Sequence, residues 1–221
     1  MTMQLDDFDQ FLSRTVVTGT ITNKTQLHIG SGTKAERYDN PIIRTVIGNE
    51  EVPYIPGSSL KGVARSYAER LLEDHPDKDF IVQYIFGSSD EKLRVKGHAS
   101  FLDCIPLHTV ITQTKPGVAI DPITGAASYG MKYDIETVAP DTHFSFQLVL
   151  ENIDLREDNP VSRVLKLIMG ELARGNIAIG GKTTAGLGVV QLDISKIEVL
   201  TQESVKSLQL QYKDITMDIH L

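Results

Sequence analysis

The sequence predicts an α+β fold of the ferredoxin-like kind: a βαββαβ core with large loop insertions and one extended hairpin arm. Three observations lead there. Stripped of its loops, the chain runs strand, helix, strand, strand, helix, strand, which is the ferredoxin-like order. Both helices carry recognisable stripes and boundaries. Between the two middle strands, residues 106–141 lose regular patterning and read as an arm, not as core.

The first strand is read from residues 15–29, where Val17, Gly19, Ile21, Leu27 and Ile29 alternate with mostly polar neighbours. Residues 30–57 are loop-rich, broken by Gly30, Gly32, Pro41, Gly48, Pro53, Pro56 and Gly57. A helix starts near Ser58, puts Leu60, Val63, Ala64, Tyr67, Ala68 and Leu71 on one face, and ends before His75-Pro76. Residues 80–86 read as one or two helical turns stopped by Gly87-Ser88-Ser89, and residues 98–104 as a strand. In the arm, strand-like runs flank Pro116-Gly117 and the turn residues 121–125. Alternation returns over residues 142–150, with Phe144, Phe146, Leu148 and Leu150 on one side. The second helix has a cap in Asn159, proline at its first position in Pro160 and a stop in Gly175. Its stripe is Val161, Val164, Leu165, Ile168 and Leu172. A glycine-rich stretch, residues 180–188, precedes a strand through Val190 and Leu192, and patterning weakens after Lys196.

The 221 residues supply ample core for one elaborated domain, placed at residues 1–200 with a C-terminal tail over 201–221. No apolar run approaches the ~20 residues that span a membrane. The acidic start MTMQLDDFDQ lacks a signal-peptide core, so the cytoplasm is expected. A single cysteine, Cys104, rules out an intramolecular disulfide and a cysteine-based zinc site. The net charge of −7 speaks against a free-standing nucleic-acid binder, which carries a basic excess. Composition alone favours a metabolic enzyme or an assembly subunit.

Several residues have chemistry to offer. Asp39, in the loop before Asn40-Pro41, can bind a divalent cation, orient a hydroxyl or act as a base, or it can simply start an Asx turn. His28, at the loop entrance, suits substrate contact or a satisfied structural position. Lys61 and Arg65 follow the Gly57-Ser58-Ser59 helix start, whose unpaired N–H groups and dipole favour an anion. The alternative is a solvated face with Arg65 and Glu69 paired at i, i+4. Gly180, Gly181 and Lys182 open a loop whose backbone can approach phosphates, or a tight packed turn. It is not a P-loop: the spacing from Gly175 to Gly181-Lys182-Thr183 is one residue too long, and a strand follows instead of a helix. On the arm, Lys115, Tyr129, Met131, Lys132 and Tyr133 can stack on bases or form a subunit contact.

These segments, taken in order, resemble a known family. LHIGSG, YDNPIIR, YIPGSSLKGVAR, the IFGSS turn, VAIDPITGAA, YDIETVAPDTHFSF and GGKTTAGLGVV are similar to motifs of the RAMP superfamily, from about Thr18 to Val190. The closest likeness is to the backbone, target-cleaving subunit of type III CRISPR effector complexes of Csm or Cmr type. The resemblance implies a modified RRM-like core with a thumb hairpin drawn from roughly 105–141. It implies copies of this chain stacked along a CRISPR RNA with target RNA paired to it, beside a large polymerase-like subunit and small subunits. Asp39 matches the family's catalytic aspartate, supporting cleavage with Mg2+ or another divalent cation. Gly57, Ser58, Ser59, Lys61 and Arg65 match its guide-backbone motif. His28, Arg37, Lys132, Gly180, Gly181 and Lys182 join them as expected RNA contacts, and the histidine's role stays unassigned. Shared among subunits, a basic groove is compatible with an acidic chain.

Three other readings compete with a cleaving subunit. A non-cleaving backbone subunit would hold guide RNA and use Asp39 only as a turn residue. A CRISPR-RNA processing endonuclease would cut without metal, with His28 as its candidate residue. An unrelated acidic enzyme would leave the ordered motifs unexplained.

Overall fold

A computed structural model of the chain describes Leu5 and residues 7–33, 39–88, 94–120 and 127–221, without the side chains of 118–120 and 127–132. Its strands are β1 (Ser13–Asn23), β2 (Arg44–Ile47), β3 (Glu50–Pro53), β4 (Ala99–Phe101), β5 (Thr112–Ile120), β6 (Ala127–Val138), β7 (His143–Glu151), β8 (Val190–Thr201) and β9 (Lys213–Asp214). Helices α1 (Gly57–Leu71) and α2 (Lys78–Phe86) separate β3 from β4, α3 (Pro160–Ala173) separates β7 from β8, and α4 (Gln202–Lys206) follows β8. The fold is mixed α+β, as the sequence predicts.

One antiparallel sheet runs in the order β4-β7-β1-β8-β9. β1 is central because both its edges are paired, with Val17 opposite Leu148 and Ile197, and Ile21 opposite Phe144 and Leu192. These side chains form one buried face with Phe146 and Leu150. Strand parity alone would not put Leu192 and Ile197 on the same face. A register shift at Thr18/Gly19 leaves Ser195 as an extra residue in β8 and flips the alternation. Gly19 sits at that bulge, where a Cβ would lie 2.2 Å from the Asp193 carbonyl oxygen.

The helices cover this face. α3 matches its sequence signals: the Asn159 side chain accepts the Ser162 N–H at 2.9 Å, Pro160 opens the helix, and the whole predicted stripe is buried. α1 differs in two respects. Its start has no side-chain cap of its own; the Asp103 carboxylate beyond β4 accepts the Gly57 N–H at 2.8 Å. Its buried row is Leu60, Ala64, Ala68 and then Leu72, while Leu71 is 43% exposed. The i, i+4 row continues into the capping residue, so the stripe turns away from Leu71.

Sequence patterning understated three regions. Residues 44–53, within the loop-rich stretch, form the β2–β3 hairpin, turning at Gly48 with φ +63°. The short apolar piece at 80–86 belongs to a nine-residue helix that buries Ile81, Tyr84 and Ile85. Beyond Lys196, β8 continues to Thr201, β9 pairs back onto it, and Ile215 is buried in the core. The arm is a two-stranded hairpin, β5–β6, outside the main sheet. No helix among the described residues is long and apolar enough to cross a membrane.

Candidate nucleic-acid interface

The residues singled out above gather in two places. The first is the root of the arm. Leu27 and Val138 of β6 exchange backbone hydrogen bonds of 3.1 and 2.8 Å, which ties the end of the first strand to the arm. The following loop returns beside the same strand, with Asn40 in a parallel bridge to Ile135. Asp39 donates its N–H to the Asp134 carbonyl at 3.1 Å, and its Oδ2 accepts the Asp134 N–H, also at 3.1 Å. That partner is 95 residues away, so this carboxylate makes a tertiary contact instead of a local Asx turn. Both aspartates remain exposed.

Glu136 holds this root together, and nothing in its local sequence announces it. It is 2% exposed. Its N–H donates to the Asn40 carbonyl at 3.1 Å, and its carbonyl accepts the His28 Nδ1–H at 2.7 Å. Its carboxylate accepts the Ile42 N–H at 3.1 Å and two guanidinium hydrogen bonds from Arg44, one of 2.9 Å. Burial would raise the Glu136 carboxyl, but the Arg44 hydrogen bonds, the Ile42 N–H and the Arg44 charge outweigh it and hold the group below its ordinary 4.5. A depressed folded pKa stabilises the protein above 4.5, and that contribution disappears as pH falls through the lowered value. Acidification below 4.5 should therefore loosen this root, read as faster amide exchange at Ile42 and Asp134 than in the α3 core. Unchanged protection there would show that Glu136 does not hold the loop.

His28 is 7% exposed. Because a carbonyl only accepts, its Nδ1 carries the proton. Its own carbonyl accepts the Gly181 N–H at 2.8 Å. Gly180, at φ +83°, allows this close approach, since a Cβ would stand 2.3 Å from the His28 carbonyl oxygen. The first part of the glycine loop is thus a packed turn against the strand end. Lys182 extends from it to the arm, donating to the Tyr133 hydroxyl at 3.2 Å with its ammonium 5.0 Å from the ring centroid. The Tyr133 ring also covers Gly117 across the hairpin, where a Cβ would lie 2.3 Å from the ring. Arg37 lies outside the described residues, as do the side chains of Lys132, Tyr129 and Met131.

The second place is the start of α1. Gly57 is buried, Ser58 is exposed, and Ser59 is half-buried with its N–H bonded to the Pro56 carbonyl at 2.9 Å. Lys61 is half-buried; burial first, and the neighbouring Arg65 charge second, lower its pKa. Arg65 is already engaged, donating to Glu69 at 2.8 Å and to the Gly87 carbonyl at 2.9 Å. The cleft beside it, between α1 and α2, sets Arg65, Arg70 and Lys78 against Glu69, Glu73 and Asp79, so its charges largely cancel. Ser58 and Lys61 are the groups at this end best placed for an anion. Among the described residues, no hydrogen bond or ion pair joins the α1 start to the arm root.

Sequence reasoning located Asp39, His28 and the glycine loop but missed Glu136, Arg44 and Asp134. Glu136 lies in a run, Ile135 to Val138, buried on both faces. A charge there requires a partner, and that partner is 92 residues away.

Residues 20–191, which carry both the arm root and the α1 start, match the RAMP superfamily. The chain belongs to that superfamily. Within it, the chain is 30% identical over 205 residues to the CRISPR system Cms endoribonuclease Csm3 of Streptococcus thermophilus, covering 84% of this chain and 90% of the relative. It is 27% identical over 212 residues to the protein of the same name from Mycobacterium tuberculosis, covering 79% of this chain and 84% of the relative. Among solved structures, a chain of the type III-B Cmr-beta complex in its apo state superposes with a TM-score of 0.59 at 18% identity, covering 81% of this chain and 97% of that one. That likeness is one of fold.

Proposed function

We propose that this chain is a CRISPR RNA-binding backbone subunit of a type III effector complex, which cleaves complementary target RNA at regular intervals in a metal-dependent way. The observation that carries the reading is the reciprocal hydrogen bonding of Asp39 and Asp134, which fixes an exposed carboxylate at the root of the arm. Relatives that match most of this chain are named endoribonucleases. The strand order β4-β7-β1-β8, with helices between, supports a ferredoxin-like, modified RRM-like core. Ser58 and Lys61 at the α1 start receive guide phosphates, and β5–β6 is the thumb that interrupts the guide–target duplex. Copies of this chain, a large polymerase-like subunit and small subunits complete the assembly, in the cytoplasm.

Cleavage in this reading is a transesterification. The 2′-oxygen of an extruded target nucleotide bonds to its own 3′-phosphorus, and the bond from phosphorus to the next nucleotide's 5′-oxygen breaks. The 2′-proton leaves to a base and the 5′-oxygen takes up a proton, giving a 2′,3′-cyclic phosphate and a 5′-hydroxyl. Asp39 Oδ2 is occupied by the Asp134 amide, while Oδ1 has no hydrogen-bond partner among the described residues. Oδ1 is the oxygen this reading assigns to the reacting groups. With one carboxylate at hand, much of the rate comes from holding the nucleotide in line.

A divalent cation fits here in a limited way. An exposed carboxylate is a hard oxygen donor, and Mg2+ commonly binds through one or two carboxylates plus substrate phosphate and water. Among the described residues there is no cluster of three acidic, histidine or cysteine side chains that would form a resident cage. When bound at Asp39, the ion supplies charge neutralisation at the phosphate and a lowered pKa for a coordinated hydroxyl. The test is target cleavage by the assembled complex in Mg2+ or EDTA, with target binding measured alongside. Regularly spaced cuts with cyclic-phosphate ends in Mg2+, and none in EDTA at equal binding, are expected. Equal cutting in EDTA would remove the metal, and no cutting in either would leave a guide-holding scaffold.

A further inference from the structure

We propose that Glu136 is the positioning residue for target cleavage: it locks the Asp39 loop in register with the arm and with the His28 strand end. The inference rests on the function proposed above and adds a residue to it. Three chain segments meet at the arm root, and Glu136 bonds to all three. As a member of β6 it is part of the arm. Through its N–H to Asn40, and through its carboxylate to Ile42 and Arg44, it holds both the residue after Asp39 and the chain leading into β2. Through its carbonyl it holds the His28 ring, whose own carbonyl carries the Gly181 amide.

The geometry separates main-chain from side-chain work. The Asn40 and His28 bonds use the Glu136 backbone and would survive a change of side chain. The carboxylate is what ties Ile42 and Arg44 to β6, while the Ser31 N–H to the Pro41 carbonyl, the Ile43 N–H to the Ile29 carbonyl and the Gly30–Ile42 bridge tie the same segment to the His28 strand end. Without it, Asp39 keeps its bonds to Asp134 and the following segment keeps its backbone bonds to residues 29–31, but that segment loses its side-chain tie to the arm. Among the described residues, the Asp39 loop meets β6 through a single bridge, Asn40 to Ile135, so the Asp39–Asp134 contact has little ladder of its own to rely on. A carboxylate that must act on one oxygen of one nucleotide is sensitive to displacements of about 1 Å, which can cost about 100-fold in rate.

Glu136 is buried with its carboxylate on Ile42 and Arg44, so it acts on the reacting atoms only through the loop it holds. Its effect should therefore fall on the chemical step. The experiment uses assembled complexes carrying wild-type chain, Glu136→Gln, Arg44→Lys or Asp39→Ala. It measures target affinity, single-turnover cleavage, and amide exchange over residues 39–44. Glu136→Gln keeps side-chain volume but loses the charge and presents an amide donor to Arg44 and Ile42. Arg44→Lys keeps the ion pair but loses the two-point grip, and provides a second route should Glu136→Gln fail to assemble. The expected result is unchanged target affinity, cleavage slowed about 10- to 100-fold in Glu136→Gln, a smaller loss in Arg44→Lys, and faster exchange confined to residues 39–44. Cleavage at the wild-type rate in both variants, in complexes where Asp39→Ala is inactive, overturns the proposal while leaving the function intact. Affinity and cleavage falling together also overturn it, because Glu136 is then a folding residue. Asp39→Ala cutting like wild type sinks the functional reading itself, and the positioning role with it.

Discussion

Replacing Asp39 with alanine should abolish regularly spaced target cleavage by the assembled complex, slowing it by at least about 100-fold, with target binding unchanged within about twofold. The asymmetry follows from its placement. Asp39 is exposed and hydrogen-bonded only to the Asp134 backbone among the described residues, so its loss leaves no buried cavity and no orphaned charge. Its backbone bond to the Asp134 carbonyl does not need the side chain and persists in the variant. In the proposed function, RNA affinity rests on cations and backbone donors elsewhere, such as the α1 start, and an acidic residue adds none of it. Asp39→Asn refines the test. Asparagine can still accept the Asp134 N–H but carries no charge, so it keeps the loop contact and removes the general base or cation ligand. Inactivity of both variants assigns the function to the charge. Activity in Asp39→Asn alone would make Asp39 a loop anchor and move the chemistry to another residue.

A large loss of stability is expected at Gly180. Gly180→Ala should lower the melting temperature far more than Gly186→Ala, although both residues lie in the same loop at nearly the same φ, +83° and +82°. The left-handed conformation costs a non-glycine residue about 1–2 kcal/mol at either position. At Gly186 nothing lies within 4 Å of an added Cβ, so that strain is the whole effect. For a chain of this size it corresponds to a fall of about 2–8 °C. At Gly180 the added carbon would stand 2.3 Å from the His28 carbonyl oxygen, a backbone atom that cannot rotate away. The turn must lift, which breaks the 2.8 Å bond from the Gly181 N–H and uncovers the His28 ring. A total above about 4 kcal/mol belongs to this kind of clash, and the arm root should loosen with it. Differential scanning calorimetry of the two variants decides it: equal melting temperatures would mean that the loop does not dock on His28.

The elements that the sequence located well are those whose signals are local. α3 has its cap, proline, stripe and stop within 17 residues, and each acts on its neighbours along one helix. β7 alternates cleanly because one face meets the core and the other does not. Where α1 turns its buried row to Leu72, the stripe was legible but its end was not, since the end depends on what Leu72 meets. The β8 bulge shows the same limit. Leu192 and Ile197 are five apart, so no alternating pattern joins them; only pairing with β1 at Gly19 does. β9 and Ile215 were invisible for a similar reason, as a two-residue strand carries no period.

The β2–β3 hairpin and β9 could not be read from the residues before folding; what could is the α+β class, the two main helices with the strands around them, the arm, and the candidate residues Asp39, His28, Ser58, Lys61 and Gly180. Each of these follows from residue type and near-neighbour spacing, which are properties of the chain before it folds. Tertiary structure decided which candidates meet. It joined Asp39 to Asp134 and Glu136 to Arg44 across 95 and 92 residues, closed the glycine turn on His28, and spent much of Arg65 on Glu69 and Gly87. The physical reason is that a hydrogen bond or ion pair depends on distances of about 3 Å in space. Sequence separation says nothing about such distances until the strands have chosen their register.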